Sequence, residues 1–394
     1  MNMNIFKKEE KKVEYLELVY DLVFVYLIGR ENAILHHFRN GFIEPGAFVV
    51  FLVSTLAVIQ IWTFTTFYIN LYGRNGARDH VFLLVNMYLI YFMGESTRND
   101  WQAYQTQYHI AWGLIVLNVG LQYLLELRNH ETDVWNRDLI RRMAVNLAVE
   151  AVFIFLAAVP NRTTGVLFSV IAILSGMILT LITRKSSGGG LVDFAHLSER
   201  AMLYVVFTFG EMIIAIAAYY FRGDGRFHGG TIYVSLMTFL VVVGLFLSYE
   251  VIYDHLIDRE GDHAGMRYML IHIFIIFAMN CITVSFEIME EERIAAAPKI
   301  MMITISMAAY FLSLFLLRGH FRPHCAPDRP FLMRMGLLTV GFVIVMIILR
   351  NNMYANLLVS VLYVFGVALL LCMMRAVRED RKRKSECGCS DMSH

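Results

Sequence analysis

Four ionisable residues crowd one apolar stretch near the start of the chain: Glu17, Asp21, Arg30 and Glu31, in VEYLELVYDLVFVYLIGREN. A charge at the centre of a bilayer costs about 2.5 to 3.5 kcal/mol even by insertion measurements, so such groups must face protein or water. Glu17 and Asp21 are four apart and share one helical face, whereas Arg30 lies about 180° round from Asp21 and reaches a different neighbour. Two adjacent acids with no cation between them have the arrangement of a proton-binding site. The competing reading makes them solvated helix-start acids beside Lys11 and Lys12, and it weighs more for Glu17 than for the deeper Asp21.

Two further acids each follow a glycine: Glu95 in YFMGES, with Tyr91 on its face, and Glu211 in FTFGEMIIAI. Glycine lets another helix come close, and the adjacent acid can then pair across the contact or hold a proton. Glu211 is expected to be buried in a bundle. Arg200 precedes it on the same helix but lies ~16 Å away along the axis. Arg200 is therefore expected to pair with a carboxylate of another span, Asp21 or Glu17. Glu199, Glu287, and Glu250 with Asp254 are secondary candidates, and Glu150 with Asn146, or Asn118, Gln122 and Glu126, are weaker signals. Asparagines and threonines such as Asn280 and Thr283 read as interhelical hydrogen-bonding groups, and His272 as a packing residue.

The elements that must position these groups are long and apolar. Hydrophobic residues make up 58% of the 394 and charged ones 17%, a balance that excludes a disordered chain and leaves a soluble enzyme no way to cover its surface. The net charge of +1 gives no reason to expect nucleic acid as a partner. A membrane helix needs about 20 apolar residues, and about twelve such segments emerge. They cover 16–37, 47–70, 79–97, 104–126, 140–159 and 164–183, then 199–220, 231–254, 267–289, 298–317, 331–349 and 353–374. Spans 1, 8 and 9 carry the most charge. The fold class expected is an all-α polytopic membrane protein.

Its parts are a cytoplasmic leader (1–15), a first six-helix half (16–183), a Gly/Ser linker (184–198), a second half (199–374) and a basic cytoplasmic tail (375–394). Three quarters of the lysines and arginines outside the spans fall in alternate loops, which places both termini in the cytoplasm. Tyr68 and Tyr72 align with Tyr249 and Tyr253 at an offset of 181 residues, a trace of two parallel halves. An undivided bundle is the alternative. Cys387 and Cys389 read as plain thiols at a frayed end, and no metal or cofactor is expected.

Two strings carry a resemblance. VEYLELVYDLVFVYLIG resembles the E-L-F-F-D-L-V-F-V opening of the bacterial low temperature requirement A (LtrA) family, and LSERAMLYVVFTFGEMIIAI is similar to its later E-R-x-x-L-x-x-I-x-x-G-E-x-I-I-A-I block. The matched polar positions are Glu17, Asp21, Glu199, Arg200, Gly210 and Glu211. GRENAI departs from the family continuation and leaves Arg30 and Glu31 outside the resemblance. What the resemblance implies is a polytopic inner-membrane protein, with no settled activity. No phosphate-binding glycine loop, HExxH or GxSxG is present, so the expectation is a non-enzyme. The leading reading is a proton-coupled transporter or permease for an unknown small solute, with the acids of spans 1 and 7 titrating. A non-catalytic protein of cold or stress adaptation and a membrane-embedded enzyme are the alternatives. The bilayer is the one partner implied, and oligomeric state is left open.

Overall fold

The computed structural model describes residues 12–96, 101–129, 134–186, 192–222, 229–259, 265–289, 291 and 293–390. Among them stand twelve α-helices: α1 Tyr15–Asn32, α2 Pro45–Tyr72, α3 Ala77–Glu95, α4 Trp101–Glu126, α5 Val134–Ala157 and α6 Arg162–Ser186, then α7 Phe194–Arg222, α8 Gly229–Glu250, α9 Gly265–Glu287, α10 Ala296–Leu316, α11 Arg329–Ile348 and α12 Met353–Ser390. Each sits on one of the expected spans, and the protein is an all-α polytopic membrane protein. By length and composition nine of the described helices could cross a membrane; α1, α3 and α5 fall short. All three carry several charges within the helix. The charges of α8 and α9 gather at the helix ends and leave their centres apolar.

Several boundaries differ from the sequence reading, each for a local reason. α7 begins at Phe194, inside the expected linker, because the Asp193 carboxylate accepts from the His196 amide at 3.1 Å and caps the first turn. Residues 187–191 of that linker and 1–11 of the leader lie outside the described residues. The basic tail continues α12 as far as Ser390, so Cys387 and Cys389 lie on a helix rather than at a frayed end. After Glu250 the chain widens into a π-turn over Val251–Leu256, which breaks the one-face stacking expected of Glu250 and Asp254; both are exposed. A small hairpin, β1 Phe38–Arg39 and β2 Phe42–Ile43, turns through Asn40 and Gly41 at φ 53° and 78°. Two residues of positive φ make this the tight turn in which asparagine and glycine are preferred.

The chain forms two compact units. The first holds the described residues within Met1–Ile34, Phe48–Phe207 and Arg259–Met269, and the second those within Leu35–Ala47, Thr208–Asp258 and Leu270–His394. In the first unit α2 is the central helix: every residue from Ala57 to Asn70 is buried. A helix apolar on all sides, here relieved only by Gln60, the threonines and Asn70, has no face to give to solvent. In the second unit α11 is peripheral, with Leu337 66% and Ile348 72% exposed. Such side chains on a helix surface suit a hydrocarbon environment, which makes this an integral membrane protein.

Candidate functional site

α1 and α7 each present polar residues at a spacing of four, and within the first unit these rows meet against α2. From α1 come Glu17 and Asp21; from α7 come His196, Arg200 and Tyr204; from α2 come Trp62, Thr65 and Asn70. The Arg200 guanidinium donates through Nη1 to Glu17 Oε2 at 2.7 Å and through Nη2 to Asp21 Oδ1 at 2.5 Å. Trp62 Nε1 donates to the same Asp21 oxygen at 2.7 Å. Tyr20 donates to Thr65 Oγ1 at 3.0 Å, and the Trp62 and Tyr204 rings close one side with centroids 4.4 Å apart. Arg200 and Asp21 are both wholly buried, and Glu17 is 4% exposed.

Asn70 Oδ1 accepts from the Asp193 amide at 3.1 Å, which fixes the orientation of the Asn70 side-chain amide. Asn70 Nδ2 then donates to the Asp193 carbonyl at 2.8 Å and to His196 Nδ1 at 3.0 Å. The Nε2 of His196 lies toward Glu17 Oε2 at 3.5 Å. Two carboxylates thus share one guanidinium in a dry interior. Asp21 Oδ2 is buried without a hydrogen-bond partner among the described residues.

The pairing expected of Arg200 is thus present, with both acids at once. The picture of Glu17 and Asp21 as acids without a cation is corrected, because α7 supplies one from more than 170 positions along the chain. Trp62, Asn70 and His196 were not singled out from the sequence. For His196 a signal existed, since it stands one turn before Arg200 on the same face.

Other candidates gather elsewhere. Glu95 accepts from Tyr26 at 2.9 Å, with Arg30 3.9 Å away and itself 40% exposed. Here glycine acts as expected: a methyl at Gly94 would stand 3.1 Å from the Tyr26 ring and 3.4 Å from Leu27 of α1. At Gly210 the same idea fails, because no described residue lies within 4 Å of such a methyl. Glu211 beside it is half-buried rather than buried. Glu287 faces His36 at 2.9 Å, and Glu199 is half-buried on a different face of α7 from Arg200. Glu31 is wholly buried and accepts from Tyr108 at 3.1 Å.

Among the weaker signals, Asn118 bonds Asn86 at 2.8 Å and Asn146 bonds Thr183 at 2.9 Å, both between helices. Thr283 instead bonds its own helix at Met279. His272 is satisfied by Tyr249 at 3.1 Å.

The family described as Bacterial low temperature requirement A protein (LtrA) matches residues 12–377, nearly the whole chain. The chain belongs to this LtrA family. No curated protein and no solved structure matches it. The match takes in the whole of α1, α2 and α7, so every residue of the Arg200 cluster lies inside it.

Proposed function

We propose that this LtrA-family chain is a proton-coupled secondary transporter or permease for a small solute, with the Glu17–Asp21–Arg200 cluster as its protonation site. The observation that carries the reading is the unpartnered oxygen of a wholly buried acid: Asp21 shares Arg200 with Glu17, and its Oδ2 has no hydrogen-bond partner among the described residues. That oxygen is where a proton would sit. Burying an ionised carboxylate with an unsatisfied oxygen costs more than burying the protonated acid, so occupancy by a proton favours the closed, dry arrangement. Loss of that proton favours an arrangement in which water reaches the acids, which is the coupling that alternating access requires. The reading places the protein in the cytoplasmic membrane, with both termini inside on the evidence of its arginine-rich loops, and as a carrier rather than a catalyst.

Liposomes containing the purified chain and an internal pH-sensitive dye test this. Under an imposed pH gradient, amino acids, organic acids, sugars and organic cations are added in turn. At least one class should discharge the gradient, and Asp21→Asn should abolish that discharge. If no class moves the dye beyond protein-free liposomes, the protein is not a transporter and the cluster is a structural staple, as the reading of a non-catalytic adaptation protein requires.

A further inference from the structure

A second buried acid in the first unit plays no part in the Arg200 cluster. Glu150 of α5 is wholly buried, and neither carboxyl oxygen has a hydrogen-bond partner among the described residues. Its surroundings contain no cation among the described residues. Gln60 of α2 gives one N–H of Nε2 to the Ile173 carbonyl at 3.1 Å, and its Oε1 is buried without a partner among the described residues. Gly176 of α6 makes room for both groups: a methyl there would collide with the Glu150 carboxyl and with Gln60 Nε2.

Among the described residues no charged side chain bonds this carboxyl. On α5 the nearest cation, Arg142, is eight residues earlier, about 12 Å along the axis, and is held by Asp138 at 2.8 Å. On α4 the nearest titratable side chain toward α6 is His109, engaged by Ser169 at 2.7 Å. Ser169 precedes Gly176 by seven residues, about 10 Å along α6. Beyond Gly176 the same face of α6 carries Thr180 and Thr183, the latter bonded by Asn146. From α2 comes Gln60. An ionised carboxylate here would be a buried charge with no cation beside it and no hydrogen bond to a described residue.

We propose that Glu150 is a proton-binding site separate from the Arg200 cluster, occupied near neutral pH so that the residue is a neutral carboxylic acid. The bound proton removes a buried charge that no guanidinium or ammonium beside the Glu150–Gln60–Gly176 contact offsets. The acid gives up this proton only when water or a cation enters the α2–α5–α6 contact. This inference stands whether or not the chain transports a solute, since it rests on packing around Glu150 alone.

Infrared difference spectroscopy on the whole protein in lipid nanodiscs reads the protonated carboxyl directly, through its carbonyl stretching band. At neutral pH the wild-type spectrum minus that of Glu150→Gln should contain one such band, and the variant should melt with the wild type. Gln60→Leu, which keeps every glutamate, should shift that band, and Asp21→Asn should leave it in place. Superimposable carbonyl regions for wild type and Glu150→Gln would overturn the proposal. So would a loss of carboxylate bands instead, or a Glu150→Gln chain that does not fold, because an amide replaces a neutral acid at nearly the same shape.

Discussion

Asp21 and Glu150 are equally inaccessible, yet their surroundings are opposites. Around Asp21, helices distant in sequence converge to deliver a guanidinium and an indole N–H; around Glu150, three helices converge and deliver neither. Burial alone therefore does not fix the state of an intramembrane carboxyl. What fixes it is the supply of a cation across the helix contact. Where Arg200 is supplied, the acid is held against a guanidinium that it shares with a second carboxylate. Where only Gln60 and a glycine are supplied, a proton is the way to remove the buried charge.

Substitutions can break that contrast, and the largest effect falls on the charged side. Arg200→Met strands two buried carboxylates and should cost about 3 to 5 kcal/mol, read as a lowered melting temperature in detergent. Gly176→Ala forces a methyl onto the Glu150 carboxyl and the Gln60 amide, and an overpacked contact of this kind costs about 1 to 3 kcal/mol in the same assay. Gly210→Ala should have the opposite sign. With open space around it, alanine in a helix interior gains about 0.5 to 1 kcal/mol over glycine. Gly94→Ala, pressed against Tyr26, should not show that gain. Glu150→Gln sharpens the contrast by doing least, with a change within about 0.5 kcal/mol.

Much of the fold was legible because length and hydropathy are what a bilayer selects for, and breaks such as Pro45 and Pro330 fall at helix starts. The chain entry into α7 was not, because an N-cap such as Asp193 inside a glycine-rich stretch is a local hydrogen bond that composition does not show. In the site, Glu17, Asp21 and Arg200 stood out as charges that lipid cannot hold. Trp62 and Asn70 did not, since a tryptophan and an asparagine in an apolar helix look the same whether or not they face an acid. The misjudged residues, Glu211 with Gly210 foremost, share one cause. Sequence shows which residue needs a partner, but whether a neighbouring helix arrives depends on packing, and at Gly94 one does.

The central claim is that the Glu17–Asp21–Arg200 cluster takes up one proton. Infrared titration of carboxyl bands in nanodiscs, wild type beside Asp21→Asn, tests it most directly. The account predicts a single protonation step in the wild type that is missing in Asp21→Asn, while the Glu150 band persists in both. Identical titrations for the two proteins would contradict it, leaving Arg200 as a tie between helices and nothing more.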